Sequence, residues 1–285
     1  MAILEVEHLV TEFAGGKSLF KTTPGTRAVD DVSFSLAQGE VLGIVGESGS
    51  GKSTLAKTVL GIIRESAGQI RLDGTTVSGV DKRQARRIRA DIQYVHQDPG
   101  AALDPWWSVG RSLHESLIIH QPALSSEDRE AIIDRMLSAV GLDKAFKIRY
   151  PHELSGGQQR RIGLARSLIL NPRILILDEP TSGLDLSVQA TVVRLFEEIK
   201  QEYGLSYIFI THDLSLVRRI SDRIAIMYRG KIVEAGETRQ IFSNPQHEYT
   251  RSLLAAAPPL SPSLEYLGLR TERLPNKTTV MSAVS

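Results

Sequence analysis

Cysteine is absent from this sequence, which excludes disulfides, thiolate zinc sites and cysteine-bound iron–sulfur clusters. The absence fits a reducing compartment. A charge excess is also missing: 34 Lys and Arg stand against 33 Asp and Glu, leaving a net charge of +1. So balanced a chain offers no broad basic surface, and no nucleic-acid partner is expected. Long apolar runs are lacking too. Residues 174–177 and 207–210 are among the most apolar stretches, far short of the roughly 20 residues that span a bilayer. The opening MAILEVEHLV contains Glu5 and Glu7 and no basic start before an apolar run, so no secretory signal is expected. Any membrane link should therefore run through a partner. No internal repeat is evident, which points to one unit and not a fused pair.

What is present is an ordinary globular composition, 41% hydrophobic and 24% charged over 285 residues. That is enough for one large domain or two compact lobes. Residues 1–75 read as β-rich. Alternation at 32–36, a Gln38-Gly39 turn and a continuous apolar run at 41–45 mark strands. Residues 69–72 before Asp73-Gly74 give another strand and turn. Helical spacing follows at 111–121 and 126–140, with Ser125 and Ser126 before Glu127 and Asp128 as a helix start. From 155 helix and strand alternate: a helix to Asn171-Pro172, a strand at 174–177, a helix from about Leu186 to Gly204, and a strand at 207–210. This alternation predicts a parallel sheet flanked by helices. Beyond Pro258 the chain turns Pro-, Ser- and Thr-rich, the composition of a loosely held tail.

Three segments carry chemistry. Gly46-Glu47-Ser48-Gly49-Ser50-Gly51-Lys52-Ser53 fits G-x-x-x-x-G-K-[ST], between an apolar strand and a helix-compatible run. Such glycines turn backbone N–H groups around phosphate oxygens, and the following helix aims its positive end at the same anion. Lys52 is expected on the β- and γ-phosphates, the Ser53 hydroxyl on Mg²⁺, and Thr54 on a further phosphate oxygen. Alone this loop also suits kinases, GTPases and helicases. Second, the apolar strand at 174–177 ends in Asp178-Glu179, two carboxylates at the carboxyl edge of a sheet. Asp178 suits Mg²⁺, through water, and Glu179 suits a general base acting on water. Third, Leu154-Ser155-Gly156-Gly157-Gln158-Gln159 begins a second helix whose first N–H groups can meet an anion. Alone it would read as a Ser/Gly helix cap. Beside a complete phosphate loop, it suits a nucleotide held by another subunit.

This last segment resembles the signature motif of ABC ATPases, and over about residues 3–260 the remaining family elements follow in order. By that resemblance Gln97, in Tyr94-Val95-His96-Gln97, corresponds to the glutamine that contacts Mg²⁺ and the attacking water. Asp185, in Ser182-Gly183-Leu184-Asp185, corresponds to the loop that crosses the dimer interface. His212 corresponds to the switch histidine at the γ-phosphate. Phe13 takes the position of the aromatic under adenine, with Phe20 as the competing candidate and core packing as Phe13's other reading. The implied fold is α/β: an ABC ATPase nucleotide-binding domain with a RecA-like P-loop core, an antiparallel β subdomain and a helical insertion near 100–155. The domain would cover 1–258, with 259–285 as a tail. The implied catalytic residues are Glu179, His212 and Gln97. Those for nucleotide are Phe13, Gly46, Ser48, Gly49, Ser50, Gly51, Lys52, Ser53, Thr54, Ser155, Gly156, Gly157, Gln158 and Asp185; those for metal are Ser53, Gln97 and Asp178.

GESGSGKST at 46–54, Ser187-Val188-Gln189-Ala190 and HEYTRSLLAAAP at 247–258 resemble ATPase subunits of bacterial oligopeptide/dipeptide-type importers. The stretch before Arg27-Ala28-Val29-Asp30 resembles the second ATPase of such systems. The resemblance implies ATP and Mg²⁺, a second ATPase subunit and two transmembrane permease subunits. It also implies an extracytoplasmic solute-binding protein acting indirectly, and a peripheral place on the cytoplasmic face of the inner membrane. Soluble ABC ATPases of DNA repair or translation, and exporter subunits, are the alternatives. The short interval from Gln97 to Ser155 and the single unit disfavour the repair and translation types. The signature segment disfavours kinases and GTPases, and Glu179 and His212 disfavour a silent binding module. The basic run at 82–89 reads as a solvated helix face. Asp104-Pro105-Trp106-Trp107 departs from the family's usual Asn-Pro-Arg, and its Trp pair reads equally as a docking surface or as packing.

Overall fold

The computed structural model describes residues 2–15, 17–18, 21–22, 25–80, 88, 90–95 and 100–256. The glutamine at 97, Phe20, most of the basic run at 82–89 and the tail beyond Pro258 lie outside the described residues.

Strands β1 (Ala2–Phe13), β2 (Lys17–Ser18), β3 (Lys21–Thr22), β4 (Thr26–Ala37) and β5 (Val41–Val45) come first. Then follow β6 (Ala67–Leu72), β7 (Thr75–Thr76), β8 (Ile92–Val95), β9 (Ile174–Asp178), β10 (Ser206–Thr211), β11 (Arg223–Tyr228) and β12 (Lys231–Glu237). The larger sheet has the order β12-β11-β5-β10-β9-β8. Its strands run parallel from β11 to β8, and β12 closes one edge antiparallel to β11. An antiparallel sheet, β4-β1-β6-β7, lies beside it, and β2 and β3 pair separately.

The apolar runs explain the parallel sheet. Every residue of β5, β9 and β10 is buried, as strands covered on both faces require. Alternate side chains enter different cores. Leu42, Ile44, Ile174, Ile176, Ile208 and Ile210 meet the antiparallel sheet and the Lys52–Val59 helix. Val41, Val45, Leu175, Leu177, Tyr207 and Phe209 meet the helical side. Each such aliphatic or aromatic side chain, fully buried, contributes about 1.5–3 kcal/mol. The helical side includes Val109–His120, capped by Ser108, and Ser126–Ala139, capped by Ser125. Leu113, Leu117, Ile133 and Leu137 from these helices join the same core as the sheet. The helix before β9 ends at Leu168, short of the expected Asn171-Pro172. Asn171 takes a positive φ of 54°, so the chain has already turned away before the proline. Among the described residues no helix is long and apolar enough to cross a membrane.

Gly43 sits mid-strand in β5, one turn of the pleat before the phosphate loop. A Cβ there would lie 2.6 Å from Ser221 Oγ and 2.7 Å from Val217 Cγ1. The glycine lets the Leu214–Ile220 helix seat directly on the central strand. Gly43→Ala is expected to destabilise the protein by about 1–3 kcal/mol, the usual cost of overpacking. Denaturant unfolding measures this, and an unchanged midpoint would show that the helix yields without cost.

Candidate functional site

The phosphate loop leaves β5 at Gly46 and enters the Lys52–Val59 helix. Its glycines answer to close backbone approach. A Cβ on Gly46 would stand 2.1 Å from Met227 O, and one on Gly51 2.1 Å from Ala28 O. Gly51 also has φ 107°, in the region that favours glycine. The loop is thus pressed between β11 and β4, and the Gly230 N–H donates to Ser50 O at 2.9 Å. The helix that follows has no side-chain cap and no acidic residue in its first turn. Its leading N–H groups remain available to an anion.

Lys52 is buried. Its Nζ donates to Gly46 O and Glu47 O, both at 2.8 Å. Burial pushes its pKa down, against the pull of the Glu179 and Asp178 carboxylates. A desolvated ammonium held this way is primed for an anionic ligand that would restore lost solvation.

The carboxylates arrive through strand register. In β10, Thr211 lies opposite Val45 of β5, and Ile210 opposite Asp178 of β9. The residues following these three strand ends are Gly46, His212 and Glu179. Asp178 is buried, and its Oδ2 accepts from the Tyr94 hydroxyl at 2.5 Å. Burial, and then that carboxylate, push the Tyr94 phenol up. Asp178 Oδ1 is buried and finds no hydrogen-bond partner among the described residues. Glu179 has a positive φ of 53°, uncommon for a side-chain-bearing residue. The turn is held by Glu179 N–H donating to Ile210 O at 2.8 Å and Ser182 N–H to Glu179 O at 3.1 Å. The Glu179 carboxylate meets His212 Nδ1 at 2.8 Å. An ionised carboxylate only accepts, so the ring proton belongs on Nδ1.

Ser155 begins the Gly156–Leu168 helix with a capping box. Its Oγ accepts from Gln158 N at 3.3 Å, and Gln158 Oε1 accepts from Ser155 N at 2.9 Å. Gly156 and Gly157 are exposed, and beyond their own helix no described residue lies within 4 Å of a Cβ on either. Among the described residues, nothing therefore requires glycine at these two positions. No hydrogen bond or ion pair joins residues 155–158 to 46–54 among the described residues. Asp185 caps the Leu186–Tyr203 helix, its Oδ1 accepting from Ser187 N, Ser187 Oγ and Val188 N at 3.1, 2.6 and 3.0 Å. The Ser187 hydroxyl leads the contacts that hold its carboxyl low.

Phe13 closes β1 and is 44% exposed. It pairs with Thr26 on β4, two residues before the Ala28 that abuts the phosphate loop. The two tryptophans differ. Trp106 is 84% exposed, whereas Trp107 is half-buried with the Arg111 guanidinium 4.2 Å above its ring. Two tyrosines touch the site although the motifs single out neither: Tyr94 at Asp178, and Tyr249, whose hydroxyl accepts from Glu47 N at 3.2 Å. For Tyr94 the strand pattern gives a face but no partner; Tyr249 lies in the family-like stretch 247–258, but some 200 residues from the loop that stretch does not name what the hydroxyl meets.

The donor set fits Mg²⁺. A hard cation takes oxygen ligands, keeps most of its waters and needs only one or two protein groups beside phosphate. The unpartnered Asp178 Oδ1 and the Ser53 hydroxyl at the helix start supply that chemistry.

Residues 29–182 match the ABC transporter family model, and residues 233–282 match the oligopeptide/dipeptide transporter C-terminal region. The chain is 46% identical over 266 residues to the oligopeptide transport ATP-binding protein OppF of Haemophilus influenzae, covering 92% of this chain and 80% of that one. It is 45% identical over 248 residues to the dipeptide transport ATP-binding protein DppF of the same organism, covering 87% and 76%. The glutathione import ATP-binding protein GsiA of Escherichia coli is 44% identical over 262 residues. That alignment takes 92% of this chain but 42% of the relative, so the chain spans less than half of it. Among solved structures, CbiO1 of Clostridium perfringens, part of the ABC transporter complex CbiONQ, superposes with a TM-score of 0.72. It has 27% identity, and the match covers 94% of this chain and 98% of that one. The dimeric ATP-binding cassette MJ0796, bound to ADP and phosphate, gives 0.70 at 26% identity, covering 83% and 99%. With its phosphate loop, paired carboxylates and second glycine-led helix in this arrangement, the chain belongs to the ATP-binding subunits of ABC transporters, in the group that carries the oligopeptide/dipeptide C-terminal region.

Proposed function

We propose that this ATPase energises a bacterial peptide importer by closing, as one of a pair, on ATP held between two subunits. The observation that carries the reading is the contrast between two helix starts. One, at Gly51, is uncapped and backed by a buried lysine and two carboxylates. The other, at Ser155, presents two exposed glycines with open space around them. Glycines without an internal reason suit close approach by something outside the chain, here the γ-phosphate held by the partner. The partner is a homologous or identical subunit. Peptides as cargo are supported by the relatives' names and the C-terminal match.

Within this reading residues 1–258 form the cassette, 100–155 its helical part and 259–285 a tail. Residues 46–54 cradle the phosphates, with Lys52 on the β- and γ-oxygens and Thr54 adding a contact. Phe13 stacks on adenine, which needs only a π-face; comparable base–aromatic stacks are worth about 1–3 kcal/mol. Ser53, Asp178 and Gln97 would hold Mg²⁺, which neutralises charge developing on the transferred phosphoryl group. Glu179 accepts the proton of the attacking water. His212, oriented by Glu179, reaches the γ-phosphate, and Asp185 sets the loop at the subunit interface. Closure alters the surface offered to two permease subunits at the cytoplasmic face of the inner membrane. An extracytoplasmic binding protein delivers solute from the other side.

Glu179→Gln is expected to bind ATP normally and lose hydrolysis by about 10²-fold or more, since an amide cannot take the water's proton. Near-normal turnover in the assembled transporter would remove Glu179 from the base role. Gly157→Ala separates internal from external demands. It should leave the isolated chain as stable or raise stability by about 0.4–1 kcal/mol, while hydrolysis by the pair falls. Full hydrolysis would mean that no partner nucleotide approaches this helix start. Trp106→Ala tests permease docking, because that ring is too exposed to matter to the core. Loss of co-purification with the permease at an unchanged melting temperature is expected; unaltered co-purification would make Trp106 a bystander.

A further inference from the structure

The C-terminal region reaches back to the phosphate loop through one side chain. Tyr249 lies in the Glu248–Ala256 helix, within the stretch matched to the oligopeptide/dipeptide C-terminal region. Its hydroxyl oxygen accepts from the Glu47 backbone N–H at 3.2 Å. The same peptide unit carries Gly46 O, which accepts from Lys52 Nζ at 2.8 Å. In a trans peptide the N–H and C=O point in opposite directions. The Tyr249 hydroxyl therefore pins one end of a rigid plane whose other end holds the lysine. A hydrogen bond at the N–H also polarises the carbonyl and strengthens it as an acceptor.

Tyr249 is itself held firmly. Its ring stacks on Tyr228 with centroids 4.1 Å apart and planes at 28°. Tyr228 follows Met227, whose carbonyl abuts Gly46. The helix start is fastened to β12: Glu234 accepts from Gln246 N at 2.7 Å and from His247 N at 3.0 Å. His247 Nδ1 accepts from Tyr249 N at 3.1 Å. Burial pushes the Tyr249 phenol up, so it keeps its proton at neutral pH. Glu234, His247 and Tyr249 thus form one brace from β12 to the phosphate loop.

We propose that Tyr249 is a positioning residue for ATP binding: its hydroxyl sets the Gly46–Glu47 peptide and, through it, the Lys52 ammonium. This rests on the reading of residues 46–54 as the phosphate site. It gives the C-terminal region a direct part in nucleotide affinity.

The test titrates ATP at equilibrium into the full chain and into its Tyr249→Phe, Tyr228→Phe and Lys52→Ala variants. Phenylalanine at 249 keeps the stack and removes only the acceptor. The expected result is ATP affinity weakened by roughly three- to tenfold, the worth of one hydrogen bond, with an unchanged melting temperature. In steady-state hydrolysis KM for ATP should rise by the same factor while kcat changes less than about twofold, as for an interaction uniform along the reaction. Tyr228→Phe should match the unaltered chain. Unchanged affinity in Tyr249→Phe overturns the proposal if Lys52→Ala has lost ATP binding. If Lys52→Ala also binds normally, the phosphate-site reading itself falls. An equal loss in Tyr228→Phe, or a fall in the melting temperature of Tyr249→Phe, likewise overturns it, because either would trace the effect to something other than the Tyr249 acceptor.

Discussion

β10 lies hydrogen-bonded between β5 and β9, with Thr211 opposite Val45 and Ile210 opposite Asp178. This ladder is the constraint on which the site depends. Parallel strands in register end together, so the residues that leave them emerge side by side. The phosphate loop, the Asp178-Glu179 pair and His212 are distant in sequence and meet only at this edge. The same strands divide the interior into two cores by simple alternation. Packing on both faces therefore fixes the register, because a slip of one residue would exchange the two sets of side chains.

Charge is arranged around a deficit. Lys52 is desolvated, engages two loop carbonyls and feels Glu179 and Asp178. Asp178 in turn has one oxygen bonded to Tyr94 and one buried without a partner among the described residues. Such a centre gains from an anion bound with its own cation, which would satisfy both the ammonium and the unpartnered carboxylate oxygen. The second helix start, at Ser155, is built differently. Its capping box satisfies the chain's own groups, and the exposed glycines leave the space in front clear. In the proposed reading, one chain would hold a half-site at 46–54 and offer the helix start at Ser155 to another.

The phosphate loop is supported by backbone from remote parts of the chain. Met227 O and Ala28 O crowd Gly46 and Gly51, Gly230 bonds to Ser50, and Tyr249 bonds to Glu47. These contacts come from β11, β4, the turn before β12 and the C-terminal helix. A loop braced on several sides loses little further entropy when its ligand arrives. The bracing also ties the phosphate loop to elements far from it in sequence.

Local pattern was enough to recognise much of this protein. The apolar runs of β5, β9 and β10, the caps at Ser125 and Gly204, and the glycine–lysine loop follow from side-chain periodicity and backbone preference, which act between near neighbours. Motif order in the chain was enough to indicate the family. What local pattern could not supply was partnership. Tyr94 on Asp178, Tyr249 on Glu47, and the separation of an exposed Trp106 from a stacked Trp107 arise when distant segments meet. Helix boundaries also shifted: the helix before β9 ends at Leu168, and the chain turns at Asn171 ahead of the proline. A side chain's type and spacing are local properties, whereas its contacts depend on strand register and packing across the whole fold, which no short stretch of residues contains.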